Sequence, residues 1–150
     1  MRVTDKITSN FSMSRWLWLF PVAYLLHVFE ERRGVGASHG INLSPTQFLV
    51  LTSGAFLLML IGIVLARKFR FPEFLGLCLG SVLFLNGLSH ILNSLIITRY
   101  DAGVISGTVI FIPLGIVTLI RLRNRMSRLR YWVGIGLGIV MQGIATVLAR

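Results

Sequence analysis

Residues 45–66 read Pro-Thr-Gln-Phe-Leu-Val-Leu-Thr-Ser-Gly-Ala-Phe-Leu-Leu-Met-Leu-Ile-Gly-Ile-Val-Leu-Ala, without one charged side chain, and Arg67, Lys68 and Arg70 close the run. About 20 mostly apolar residues at a rise of 1.5 Å cross a hydrocarbon core about 30 Å thick, so this stretch predicts a transmembrane helix. Ser44-Pro45 in front of it has the form of a helix start. The rest of the chain agrees: 55% of its 150 residues are hydrophobic, 13% are charged, and the mean hydropathy is +0.79. That charged share is about half of what a soluble domain carries. The expected fold is an all-α integral membrane protein with room for one compact bundle and no separate soluble domain.

Working outward, four more apolar stretches suggest spans. The first runs from about Trp16 to Glu31, with Trp16 and Trp18 as interfacial anchors. Pro72-Glu73 opens a span reaching about Thr98, Gly103 one reaching about Ile120, and residues 131–149 form the last. Residues 1–15 read as a polar, basic cytoplasmic tail ahead of a five-span domain at 16–150. The tail and first span could mimic a signal peptide, but His-Val-Phe-Glu-Glu-Arg-Arg ends the run where a small-residue cleavage site belongs. Residues 32–44 read as a loop, Arg99–Gly103 as a tight turn, and 121–130 as a basic loop.

Fifteen of the 20 charged residues are basic. In a soluble chain that excess points to nucleic acid; lying between apolar segments, it points to topology, and no nucleic-acid partner is expected. Five spans with the N-terminus inside place eleven basic residues in the cytoplasm and four (Arg32, Arg33, Arg99, Arg150) outside, which predicts N-in, C-out. Gly76-xxx-Gly80, Gly103-xxx-Gly107 and Gly134-xxx-Gly138 offer small faces for close packing, within the bundle or in a homodimer. The single cysteine, Cys78, excludes an intrachain disulfide and any CxxC metal site.

Ionisable groups inside apolar segments are expensive and mark functional sites. His27, Glu30 and Glu31 stand three and four residues apart, so on a helix all point roughly to one side. The partial negative charge of a helix C-terminus makes two adjacent carboxylates there call for a cation. The candidates are a metal, a substrate, or simply Arg32 and Arg33. The third span carries Asn86, His90 and Asn93 on one face. Counted along the helices, His27 lies about 12 Å and His90 about 13 Å below the same surface. The two histidines are therefore expected at one level, with the carboxylates near Asn93. Gln47, Thr52, Ser53, Ser106, Thr108, Gln142 and Thr146 at the same end suggest a polar pocket opening outward.

The ordered set His27-Val28-Phe29-Glu30-Glu31, Asn86-xxx-His90 and Tyr100-x-x-Gly103 resembles the HXXEE domain family of small bacterial membrane proteins. The resemblance covers nearly the whole chain. The family pattern has proline before the glycine of the third motif; this chain has Ala102. The resemblance implies a protein of the bacterial cytoplasmic (inner) membrane and an enzyme whose motif residues form the active site. It supplies no reaction.

The leading expectation is a membrane enzyme acting on a lipid or other apolar molecule near the outer leaflet. His27, His90, Glu30 and Glu31 would bind zinc or iron for hydrolysis or oxidation, and one glutamate would act as general base. Asn86, Asn93 and Tyr100 would orient ligands or substrate. Three alternatives stand beside it. A metal-free acid–base enzyme would use a buried glutamate and a histidine. A carrier or binding protein would continue its polar groups to the inner side, where few are found. A packing cluster would bind nothing.

Overall fold

The computed structural model describes residues 12–33 and 43–148, and among these every regular element is helical. In chain order they are α1 (Met13–Trp16), α2 (Leu19–Arg32), α3 (Pro45–Lys68), α4 (Pro72–Ile97), α5 (Val104–Arg123, with a π-helical stretch at Gly107–Phe111) and α6 (Arg128–Leu148). Four of them, α3 to α6, are long and apolar enough to cross a membrane. The chain is an integral membrane protein by that measure. Of the expected tail, residues 1–11 lie outside the described residues, as do 34–42.

The expected first span is not one helix. The chain breaks at Trp18, and α2 has 14 residues, about 21 Å, which falls short of a core about 30 Å thick. Pro21 explains the break: without an N–H it cannot bond back to the Leu17 carbonyl, but it fits the first turn of a new helix. The joint tightens into shorter bonds, Trp18 N to the Arg15 carbonyl and Phe20 N to the Leu17 carbonyl, both at 3.2 Å. The count of single spanning helices is four rather than five, and the expectation that the termini lie on opposite sides, which rested on an odd count, falls with it. The basic loop also shrinks. Residues 121–123 end α5 and 128–130 begin α6, because arginine is a good helix former whose stem can lie on apolar surface while its head reaches water.

α4 is the central post. Gly87 meets Gly107 of α5 so closely that a Cβ on Gly87 would stand 2.6 Å from the Gly107 carbonyl oxygen. On its other side α4 receives Gly138 of α6, where a Cβ would stand 2.5 Å from that of Ser81. The small faces are thus used between helices of this chain. The α1–α2 pair flanks α4 from Gly76, which touches Met13, to His90, which touches His27. Ser44 and Gln47 form a reciprocal capping box at the start of α3, as Ser44-Pro45 suggested. Short connections make α3 to α6 antiparallel neighbours. The turns at 69–71 and 124–127 share one end, and the turn at 98–103 lies at the other, with the last turns of α2.

Candidate metal centre

Three elements converge at that second end: the end of α2, the last third of α4, and the turn running into α5. α2 brings His27 and Glu31 one helical turn apart, and α4 brings His90. The imidazole rings meet edge to face with centroids 4.9 Å apart, level as the depth count expected. Glu31 Oε1 stands 3.4 Å from His27 Nε2 and 3.2 Å from His90 Nε2. One ligand atom from each of His27, Glu31 and His90 lies within 4.8 Å of the others. His27 is 2% exposed and its ring packs on Phe111.

The far side of each ring is engaged. His90 Nδ1 lies 2.7 Å from Asp101 Oδ2, and His27 Nδ1 lies 2.8 Å from Ser106 Oγ. The Asp101 carboxylate can only accept, so it assigns the proton to His90 Nδ1. The Ser106 hydroxyl can donate to the Gly103 carbonyl at 3.4 Å, and in that arrangement it accepts from His27 Nδ1. With neutral imidazoles in these tautomers, both Nε2 lone pairs face Glu31, itself an acceptor. His27 Nε2 is buried and without a hydrogen-bond partner among the described residues. Three acceptors facing one another in a buried space repel unless a cation or protons lie between them.

Glu30 faces elsewhere. Its Oε1 accepts from the Tyr100 hydroxyl at 2.6 Å and the Ile105 amide at 3.1 Å, and its Oε2 from the Ser106 amide at 2.7 Å. These are the second and third amides of α5, whose N-cap, Gly103, has no side chain to satisfy them. Glu30 therefore caps α5 from a neighbouring helix, with its charge at the positive end of the helix dipole. Partial desolvation, and then the carboxylate that accepts its proton, push the Tyr100 hydroxyl up to about 12. Neither glutamate pairs with Arg32 or Arg33, which removes the simplest alternative; Arg33 lies over the Phe29 ring instead.

Gly103 closes one side of the cluster. Its φ of +105° is left-handed, and a Cβ there would stand 2.7 Å from His90 Cε1 and 2.8 Å from His27 Cε1. Ala102 is buried in the same turn. Asn86 and Asn93 do not join the cluster by hydrogen bonds. The Asn86 Oδ1, one turn before His90, is buried without a partner among the described residues. The wider outward pocket resolves mostly into local bonds, with Thr52 donating to the Phe48 carbonyl and Thr146 to that of Gln142.

A family described as "protein of unknown function with HXXEE motif" matches residues 18–118. The chain belongs to this family. No curated protein and no solved structure matches it. The HXXEE motif itself is His27, Glu30 and Glu31, and its two glutamates are divided between the His cluster and the α5 cap. Asp101 and the Ser106 contact with His27 are what motif reading misses. One signal for Asp101 is present: of five acidic residues in the chain, three fall in the His27–Glu31 and Tyr100–Gly103 stretches.

Proposed function

We propose that this HXXEE protein is a membrane-embedded, metal-dependent enzyme that hydrolyses a lipid or another apolar substrate. The observation that carries the reading is the convergence of His27 Nε2, His90 Nε2 and Glu31 Oε1, with the other nitrogen of each imidazole held by Ser106 or Asp101. Tetrahedral ligation with bonds of about 2.0–2.1 Å separates neighbouring ligand atoms by about 3.3–3.4 Å. The 3.2 and 3.4 Å separations to Glu31 fit that edge, while the set as a whole spreads over 4.8 Å, so an ion would have to draw the two imidazoles together. Octahedral magnesium asks for about 2.9–3.0 Å and for oxygen donors. Two imidazoles and one carboxylate suit zinc and leave a fourth position for water. Iron in the same set would support oxidation.

In this reading His27, His90 and Glu31 hold the ion. When bound, it would supply a water of lowered pKa and polarise the substrate's carbonyl or phosphoryl group. Asp101 and Ser106 fix each imidazole's tautomer and tilt. Gly103 covers one side of the rings, so substrate would approach from another, and Asn86 and Asn93, on the same helix as His90, are assigned to orient it. Glu30, with three donors on its carboxylate, is assigned to hold the α5 turn rather than to act as base. The basic turns at 69–71 and 124–127 belong in the cytoplasm by the positive-inside rule, which sets the site toward the outer leaflet of a bacterial inner membrane.

The second reading rests on the same convergence. Protons on the imidazoles satisfy it equally and give a metal-free acid–base enzyme. Elemental analysis of protein purified without chelators, beside His27→Ala and His90→Ala, separates the two. Near-stoichiometric zinc in the parent, lost in both folded variants, supports the metal centre. Metal-free parent protein, even after reloading, sinks it and leaves acid–base chemistry.

A further inference from the structure

α5 is not uniform along its length. Over Gly107–Phe111 it is π-helical, and the Ile112 amide bonds back five residues, to the Gly107 carbonyl, rather than four. Such a turn holds one residue more than an α-turn. Two features trap that residue where it is. α5 is pinned to α4 on both sides of the turn, at Gly107 against Gly87 and at Gly115, where a Cβ would stand 2.8 Å from both the Gly80 carbonyl oxygen and Phe84 Cβ. Between these pins Pro113 decides the position. An α-turn ending at Pro113 would drive its ring into the Val109 carbonyl, and proline has no N–H to bond there. A wide turn immediately before the proline relieves that clash.

The consequence falls on His27. Ser106 Oγ lies 2.8 Å from its Nδ1, and the Phe111 ring lies against its face, with centroids 4.2 Å apart and planes at 33°. Ser106 and Phe111 stand five positions apart in the chain, one at each end of the π turn. In an unbroken α-helix that spacing separates two side chains by about 140°. A turn closed by bonds five residues long brings them back to within roughly 50°. One imidazole is thereby held at its edge and on its face by the same turn.

We propose that Pro113 is a positioning residue for His27: it fixes the π turn at Gly107–Phe111, which presents Ser106 and Phe111 together to one imidazole. Its bearing on zinc rests on the reading of His27 as a metal ligand; its bearing on the orientation of the ring does not. Without the proline, the extra residue is free to move along α5 between the two pinned glycines. Once it passes Phe111, the segment from Ser106 to Phe111 is α-helical, the two side chains stand about 140° apart, and one of them leaves the ring.

The test compares the full-length parent, Pro113→Ala, and Pro113→Ala with Val109 deleted, all in detergent. Pro113 and Val109 are exposed, so neither change opens a cavity. The deletion removes the extra residue and leaves Ser106 and Phe111 four positions apart, about 40° on an α-helix. Pro113→Ala should weaken zinc binding at least about tenfold, close to 1.4 kcal/mol. It should not lower the unfolding temperature, since alanine is the better helix former. The deletion should recover most of the lost affinity, whereas a proline with only a structural role predicts unchanged affinity and damage from the deletion. In metal-free protein the His27 Cε1 proton, assigned by its absence from His27→Ala, senses the Phe111 ring. Its resonance should move in Pro113→Ala and return in the deletion variant. An unmoved resonance in Pro113→Ala overturns the proposal whatever the affinity, as does a loss that the folded deletion variant fails to reverse. If the deletion variant does not fold, the resonance in Pro113→Ala decides alone. A parent that binds no zinc removes the metal centre and leaves the resonance to decide; stoichiometric zinc with an unmoved resonance keeps the metal centre and removes the role of Pro113.

Discussion

Asp101 gives the sharpest test of how the two histidines are held. It is 5% exposed and accepts from His90 Nδ1 at 2.7 Å, a charge-assisted bond that fixes the tautomer with Nε2 free for a metal. Such outer partners typically contribute about 10–100-fold to metal affinity, or about 1.4–2.7 kcal/mol. Asp101→Ala removes the acceptor outright and should fall near the 100-fold end. Asp101→Asn keeps a carbonyl acceptor without charge and should fall near tenfold. Ser106→Ala removes only a neutral partner, about half as strong, from His27 and should cost less than Asp101→Ala. The assay is competition for zinc against a chromophoric chelator in detergent, with thermal unfolding recorded on the same samples. Zinc affinity within twofold of the parent in folded Asp101→Ala would refute the reasoning. So would equal losses in all three variants, since that reports general destabilisation rather than graded ligand orientation.

The remaining expectations follow from the same contacts. Gly103→Ala must give up a φ of +105° and drive a Cβ into both imidazole edges, so it should abolish zinc binding and lower the unfolding temperature; retained stoichiometric zinc would exclude the packing described. Glu31→Gln should lose the metal, whereas Glu30→Gln should keep it at a stability cost of about 0.5–2 kcal/mol for the weakened cap, measured by elemental analysis and unfolding. Tyr100 is raised from 10.0 to about 12, so the difference in tyrosinate absorbance between the parent and Tyr100→Phe should remain small at pH 11. The sign follows: the Tyr100–Glu30 contact contributes fully below pH 10 and is lost as pH rises through about 12, and a difference already complete at pH 11 would contradict it. Ser127→Cys, in the basic turn, should react with an impermeant thiol reagent only after cells are opened; labelling of intact cells would reverse the orientation.

Much of the fold was legible because hydropathy in a membrane chain is a direct reading of the solvent each residue meets. The runs at 45–66 and 72–98 became α3 and α4 within a few residues. The failure at the first span is instructive because the contrary signal was present. Pro21 stands five residues into an apolar run that is otherwise continuous, and hydropathy does not register a missing amide. The basic loop failed for the opposite reason. Charge was read as the end of a helix, although arginine extends helices at a membrane edge as readily as it ends apolar runs. Asp101 could not be placed at all, since periodicity carries no phase through the turn between α4 and α5.

The two glutamates show where spacing arguments stop. Residues three and four positions on from His27 both count as its neighbours, yet adjacent residues on a helix are about 100° apart. Glu31 falls on the side of His27 that faces His90, and Glu30 on the side that faces α5. Of the two, only Glu31 stands with both imidazoles, and Glu30 is engaged by Tyr100 and the α5 amides. The division of labour is nonetheless coupled. Glu30 fixes the Ile105 and Ser106 amides, Ser106 fixes His27, and the turn those amides open from carries Asp101 to His90 and Gly103 over both rings. The second glutamate of HXXEE thus supplies the acceptor that faces both imidazoles. The first holds in place the segment that orients both imidazoles toward it.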